Sequence, residues 1–245
     1  MKFWENWKKL FPNHQVVHPY CSALIAAAGS SQRMEGENKL LLPLGGKPVL
    51  AHTLQAVDAA ANVNEIIIAT REEDIVLIAD LCKQWGIQKP VKIIAGGATR
   101  EESVLRAATE ANPDADFLAV QDGARPFVTP ELIDSVIEAA RVNLAAAPAV
   151  PVKDTIKVAT DGVVRHTPDR STLFAVQTPQ VFDAQLLRAA LQSAAEANVL
   201  LTDDCSAVER LGKEIYLTPG LEDNIKITTP FDLVIAEAIL TKRES

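Results

Sequence analysis

Hydrophobic and polar positions alternate between two rhythms along this chain. From Cys21 onward, short continuous apolar runs give way to stretches in which apolar residues recur every three or four positions. Short runs bounded by turn residues suit buried strands, and the longer period suits helices with one apolar face. The pattern predicts strands at Ser22–Ala28, Glu65–Thr70, Val91–Ala95, Phe117–Gln121 and Ala147–Pro151. It predicts helices at Val49–Ala60, Glu73–Trp85, Glu101–Ala111 and Pro130–Asn143. Some starts carry their own signals. Thr129 places a capping oxygen ahead of Pro130, and Thr99-Arg100-Glu101-Glu102 has capping-box spacing. Strands alternating with helices imply an α/β fold, a Rossmann-like, mainly parallel sheet flanked by helices.

After Pro151 the rhythm changes. "KDTIKVATDGVVRHT" contains two β-rich runs, Thr155–Val158 and Val163–Thr167, around Asp161-Gly162, a strong hairpin signal. Neither run holds enough apolar residues for a core of its own, so the hairpin reads as a protruding β-arm, at about 152–172, that rests on something else. Helical patterns return at Asp183–Ala197, Asp203–Leu211 and Pro230–Lys242, with a short strand at Glu214–Leu217. The whole reads as one domain over 21–245, preceded by an extension over 1–20. In that extension Phe3, Trp4, Trp7, Leu10 and Phe11 fall near one side of a short helix, with Lys2, Lys8 and Lys9 nearby. This suits docking on its own domain, with a membrane-surface or partner helix as the other reading.

Composition narrows the function classes. The 245 residues are 48% hydrophobic and 23% charged, enough for a full α/β core. A net charge of −8 leaves no electrostatic footprint for nucleic acid or an anionic membrane. Cys21, Cys82 and Cys205 are far apart and odd in number, which suggests neither a disulfide framework nor a metal knuckle. With no apolar run of membrane-spanning length and no secretory signal pattern, a reducing cytoplasm fits best.

In open parallel sheets, ligands bind beyond the carboxyl ends of the strands, where the strand order switches. Three loops occupy such positions. "AAAGSSQRMEGENK" leaves the first strand through Gly29 and brings Arg33 and Lys39 into one short loop. It has neither the P-loop nor the dinucleotide glycine spacing, but backbone N–H groups beside two cations can still cradle phosphate. Gly96-Gly97-Ala98-Thr99-Arg100-Glu101-Glu102-Ser103 leaves another strand through two glycines, which bland turn chemistry explains equally well. Gln121-Asp122-Gly123-Ala124-Arg125-Pro126 sets a carboxylate at a strand end with a cation three residues later. Asp122 there can take part in holding Mg²⁺ and Arg125 can fork onto phosphate, or the two can simply pair with each other. Further cations are Lys153, Lys157, Arg165 and Arg170 in and after the arm, and Lys226, which strand-like alternation with Ile225 and Ile227 turns away from a buried side. No Gly-x-Ser-x-Gly, His-Glu-x-x-His or Cys-x-x-Cys occurs. Phosphoryl and nucleotidyl transfer need none, because alignment and charge neutralisation carry the chemistry.

Taken together, "AAAGSSQRM" with Lys39, "GGATREESV", "QDGARP", "PVKDTIK", "TPDR", "QTPQVF", "TDDCSAVE" and "DNIKITTP" resemble, in order, the cytidylyltransferases that couple CTP to 2-C-methyl-D-erythritol 4-phosphate. The resemblance spans about Ser22 to Leu240. It implies attack of the substrate phosphate on the α-phosphorus of Mg-CTP, with pyrophosphate leaving. It implies that Arg33 and Lys39 stabilise the charge building on the phosphates. Ala27, Ala28, Gly29, Gly97 and Ser103 would cradle the nucleotide, with Asp122 near the metal and triphosphate. Arg125, Thr155, Arg170, Thr178 and Lys226 would grip the sugar phosphate. It further implies a homodimer whose arms exchange between subunits, making composite sites.

The sequence departs from the resemblance at three places. Ser31 and Glu35 stand where glycine is common, and Gln121-Asp122-Gly123 stands where His-Asp-Ala is frequent. None removes a charge that the chemistry needs. Two other readings remain open at this point. One is a D-ribitol 5-phosphate cytidylyltransferase with the same nucleotide loops and arm. The other is a non-catalytic nucleotide-binding subunit.

Overall fold

A computed structural model of the chain describes residues 19–29 and 38–244. The first element, β1 (Cys21–Ala27), lies in the middle of an eight-stranded sheet. On one side it pairs in parallel with β4 (Glu65–Thr70), which pairs in parallel with β5 (Val91–Ala95). On the other it pairs in parallel with β6 (Phe117–Asp122). Next come β11 (Gln180–Asp183), antiparallel to β6, then β7 (Ala145–Pro151), flanked by β10 (Phe174–Val176) and β12 (Tyr216–Pro219). The short β2 (Pro43–Leu44) and β3 (Lys47–Pro48) form a separate ribbon. The chain winds away from β1 in both directions, so the switch in strand order lies between β1 and β6.

Strand periodicity decides which side chains meet which helices. Ala23, Ile25, Ile66, Ile68, Phe117 and Ala119 face helices α1 (Val49–Ala59), α2 (Ile75–Gln84) and α4 (Pro130–Asn143). Leu24, Ile67, Ala69, Leu118, Val120 and Phe182 face α3 (Arg100–Glu110), α5 (Ala184–Glu196) and α6 (Asp204–Glu209). Both faces are thus covered, as a sheet read from near-continuous apolar runs requires. Each fully buried Leu, Ile or Phe contributes roughly 1.5–3 kcal/mol. A third cluster, Leu44, Val49, Phe127, Ile227 and Ala236, seats α7 (Pro230–Glu244) against the domain.

Within the described residues the predicted strands and helices form, with ends shifted by a few residues. Thr129 caps α4 through the Leu132 N–H, with Pro130 at the first turn. Thr99 caps α3 through the Glu102 N–H, but the Glu102 carboxylate reaches the Ala98 N–H at 2.7 Å, one residue before the cap. The capping box is therefore stretched onto the loop that follows β5. The hairpin turns at Asp161 (φ 52) and Gly162 (φ 76), as a two-residue turn of this hand demands. Its strands, β8 (Val158–Thr160) and β9 (Val163–His166), run right up to that turn. The expected first run at Thr155–Val158 starts too early, because pairing of Thr160 with Val163 sets the register. Residues 152–172 form no core, and Ile156, Val158, Val163 and Val164 are exposed. The segment carrying Lys226 is irregular coil, not strand-like as its alternation suggested. Ile227 is nonetheless buried, and its N–H donates to the Ala124 carbonyl at 2.9 Å. The proposed helix around Trp4 and Trp7 lies outside the described residues. Among the described residues, no helix is long and apolar enough to cross a membrane.

Candidate active site

The carboxyl ends of β1 and β6, the loop after β5 and the start of α3 enclose a cavity of about 300 Å³. It lies at the switch in strand order. Ala27, Ala28 and Gly29 line one wall, Gly97 and Ser103 another, and Lys39, Asp122 and Lys226 complete it. Among the described residues, no atom lies within 4 Å of where a Cβ on Gly29 would stand. Gly96 is different. A Cβ there would lie 2.5 Å from the Ala28 Cβ and 2.9 Å from Ser103 Oγ, so only glycine lets the β5 loop pack this close to the end of β1. Ser103 fixes the same loop, accepting the Gly97 N–H at 3.0 Å and donating to the Thr99 carbonyl at 2.8 Å. The N-terminal end of α3 thereby faces the cavity, a favourable setting for phosphate.

Asp122 is the electrostatic centre of the site. Its Oδ2 accepts from Lys226 Nζ at 2.8 Å and lies 3.7 Å from Arg125 Nε, while its Oδ1 lies 3.4 Å from the Arg100 guanidinium. Burial opposes its ionisation, but Arg100, Lys226 and Arg125 together outweigh that cost and hold its pKa below the usual carboxylate range. The Arg125 side chain is 12% exposed, and its Nη1 donates to the Asn224 carbonyl at 2.7 Å. The loop pair between Asp122 and Arg125 therefore exists, at the long end of ion-pair distances, within a larger cluster. Lys226 is turned toward the cavity because its neighbour Ile227 is packed in the third cluster.

Thr178 does not line the cavity. It is buried, and its hydroxyl accepts the Asp122 N–H at 3.1 Å, so it contributes by holding the end of β6. Thr155 and Arg170 lie on the exposed arm and do not line the cavity either. Arg170 donates to the Lys153 carbonyl at 2.7 Å. Arg33 lies outside the described residues. Two participants were not singled out from the sequence, Arg100 and Asp204. Arg100 lines the cavity, and its Nη2 donates to Asp204 Oδ2 at 2.7 Å. The visible signal was a cation at the first position of a helix, where the dipole disfavours it.

The three cysteines are buried and unpaired. Burial, helped by nearby carboxylates, raises all three thiols, Cys82 to about 11, so none is set up as a nucleophile. Among the described residues there is no cluster of three metal-ligating side chains. Asp122 is the one carboxylate on the cavity wall among the described residues, and a Mg²⁺ that kept several waters and took further ligands from substrate phosphates would need no more from the protein.

Comparison with known proteins agrees with this architecture. Residues 21–242 match the family profile of 2-C-methyl-D-erythritol 4-phosphate cytidylyltransferase (IspD). The proteins of that name from Bacillus thuringiensis and Caldanaerobacter subterraneus are each 45% identical. The alignments cover 89% of this chain and 96% of the first relative, and 90% and 99% for the second. Among solved structures, 4-diphosphocytidyl-2C-methyl-D-erythritol synthase from Anaerococcus prevotii superposes with a TM-score of 0.85 at 32% identity, covering 94% of this chain and 100% of that one. The 2-C-methyl-D-erythritol 4-phosphate cytidylyltransferase from Thermus thermophilus gives 0.72 at 34% identity, with 89% and 98% covered. The likeness read from ordered motifs thus extends through the whole domain, and the chain belongs to the 2-C-methyl-D-erythritol 4-phosphate cytidylyltransferase family.

Proposed function

We propose that the protein transfers CMP from CTP to 2-C-methyl-D-erythritol 4-phosphate, giving 4-diphosphocytidyl-2-C-methyl-D-erythritol and pyrophosphate. The observation that carries this reading is the cavity at the β1/β6 switch, with Arg100, Arg125 and Lys226 gathered on Asp122. A triphosphate and a phosphate monoester meeting there bring several negative charges together, and the site supplies fixed positive charge to receive them. The substrate phosphate oxygen attacks the α-phosphorus, the bond to the β-phosphate oxygen breaks, and pyrophosphate leaves with the bonding electrons. No protein nucleophile is needed.

In this reading Ala27, Ala28, Gly29, Gly97 and Ser103 cradle the nucleotide. Arg33 and Lys39 stabilise charge on the transferring and departing phosphates. Lys226 and Arg125 orient the attacking phosphate. Asp122 would be the protein contact for a Mg²⁺ carried by the CTP phosphates, which would supply charge neutralisation when bound. The arm, whose apolar residues are exposed, packs on a second copy of the chain and carries Thr155 and Arg170 to that copy's site. The buried free thiols suit a reducing cytoplasm.

The test is pyrophosphate release from Mg-CTP with 2-C-methyl-D-erythritol 4-phosphate and, in parallel, D-ribitol 5-phosphate, with Arg33→Ala as control. Turnover with the first substrate, lost in the variant, is expected. Preference for ribitol phosphate would reassign the substrate, and CTP binding without release would leave a nucleotide-binding subunit.

A further inference from the structure

Two motif stretches, "QTPQVF" and "TDDCSAVE", contribute no residue to the cavity wall, yet they meet behind it. Gln180 on β11 is 3% exposed. Its Oε1 accepts the N–H groups of Asp204 and Cys205, each at 3.1 Å, and its Nε2 donates to Asp203 Oδ2 at 2.7 Å. Asp203 caps α6 through the Ser206 N–H at 2.9 Å. The helix is therefore capped without Asp204, whose carboxylate is left to another purpose.

That carboxylate is 1% exposed and touches Arg100 at 2.7 Å, while its Oδ1 is buried with no hydrogen-bond partner among the described residues. A desolvated carboxylate is costly unless it is paired, and Arg100 is the cation that pairs it. Arg100 is itself misplaced by local rules, a cation at the first position of α3. Two unfavourable choices that compensate each other mark a functional contact rather than a stabilising one. The guanidinium is 28% exposed, lines the cavity, and lies 3.4 Å from Asp122. The short contact anchors it from behind, and the long one can be exchanged for an incoming phosphate.

We propose that Arg100 binds the nucleotide phosphates and that Asp204, set by Gln180, is a positioning residue that holds the Arg100 guanidinium at the cavity wall. This rests on the CTP reading given above.

The test is calorimetric titration of Mg-CTP into the wild type, Arg100→Gln, Asp204→Asn and the double variant, with melting temperatures measured on each. Either single change is expected to weaken CTP binding about tenfold, the scale of one lost charge-assisted hydrogen bond. The double variant should bind no more than about twofold worse than Arg100→Gln alone, because Asp204 acts through Arg100. Unchanged affinity in Asp204→Asn, or losses that multiply in the double variant, would overturn the proposal. If Asp204→Asn does not fold, Arg100→Lys decides the matter, since a point charge cannot bridge both carboxylates as a fork does. A tenfold loss there supports the proposal and wild-type affinity overturns it. A wild type that binds no Mg-CTP would instead defeat the functional reading itself.

Discussion

Lys226 Nζ stands 2.8 Å from Asp122 Oδ2, joining the coil before α7 to the carboxyl end of β6. The pair closes one side of the cavity, yet the two side chains are unequally exposed, 37% for Lys226 and 9% for Asp122. The lysine can therefore swing to a ligand while the carboxylate stays in place. Lys226→Met should lower kcat/KM by roughly 10²-fold, as loss of a charge contact to a reacting phosphate does. Its melting temperature should stay within a few degrees of wild type, because a partly exposed ion pair contributes at most about 1 kcal/mol. Steady-state kinetics and thermal melting on the same preparation check both halves.

Asp122→Asn removes the charge that balances Arg100, Arg125 and Lys226. At neutral pH it should destabilise the domain by about 3 kcal/mol, the scale of a buried pair broken on one side. The native pKa of Asp122 lies below its unfolded value. Its stabilising contribution is therefore complete above the ordinary carboxylate pKa, and is lost as pH falls through the lower native value. Urea unfolding of wild type and variant at neutral pH and in increasing acid should show the gap between them closing only in acid. A gap constant across that range would contradict the ionised cluster.

Gly96→Ala tests the close approach of two loops. The new methyl would press on the Ala28 Cβ and Ser103 Oγ, and β1 and α3 are both held by the core. A cost of roughly 1–3 kcal/mol is expected, as for other overpacked sites. Weaker CTP binding should accompany it, because the two walls of the cavity are pushed apart. Denaturant unfolding and calorimetry read the two effects.

Replacing residues 155–167 by a short Gly-Ser turn removes exposed hairpin with no buried side chain. Far-UV circular dichroism should still report the folded domain. Sedimentation should show a smaller assembly than wild type, and turnover should fall while Mg-CTP binding remains. An unchanged mass would overturn the proposed role of the arm in holding two copies of the chain together.

Much of the fold could be read along the chain, because strands and helices here obey local periods. Glu65–Thr70, Val91–Ala95 and Pro130–Asn143 form with the boundaries expected. Those runs are bounded by strong turn or capping residues, and their burial is two-sided or one-faced in a way that the apolar pattern shows. The β-rich run Thr155–Val158 precedes the strand that forms, Val158–Thr160, because register in a hairpin is set by the turn and by cross-strand pairing, not by β-propensity.

The loops that line the cavity were legible for a similar reason. Ala27, Ala28, Gly29, Gly97, Ser103 and Asp122 sit at strand ends and in the loops that follow, and strand ends are local features. The sequence by itself thus determined the mainly parallel α/β sheet, the small residues of the cavity wall and the cations in the loops beside it. Only the tertiary structure decided which charges act together. Asp122 meets Arg100 and Lys226 across the sheet, Thr178 turns out to hold the Asp122 backbone, and Asp204 is brought behind Arg100 by Gln180. The physical reason is that a strand or helix is specified by neighbours along the chain, whereas an ion pair depends on burial and distance between segments remote in sequence.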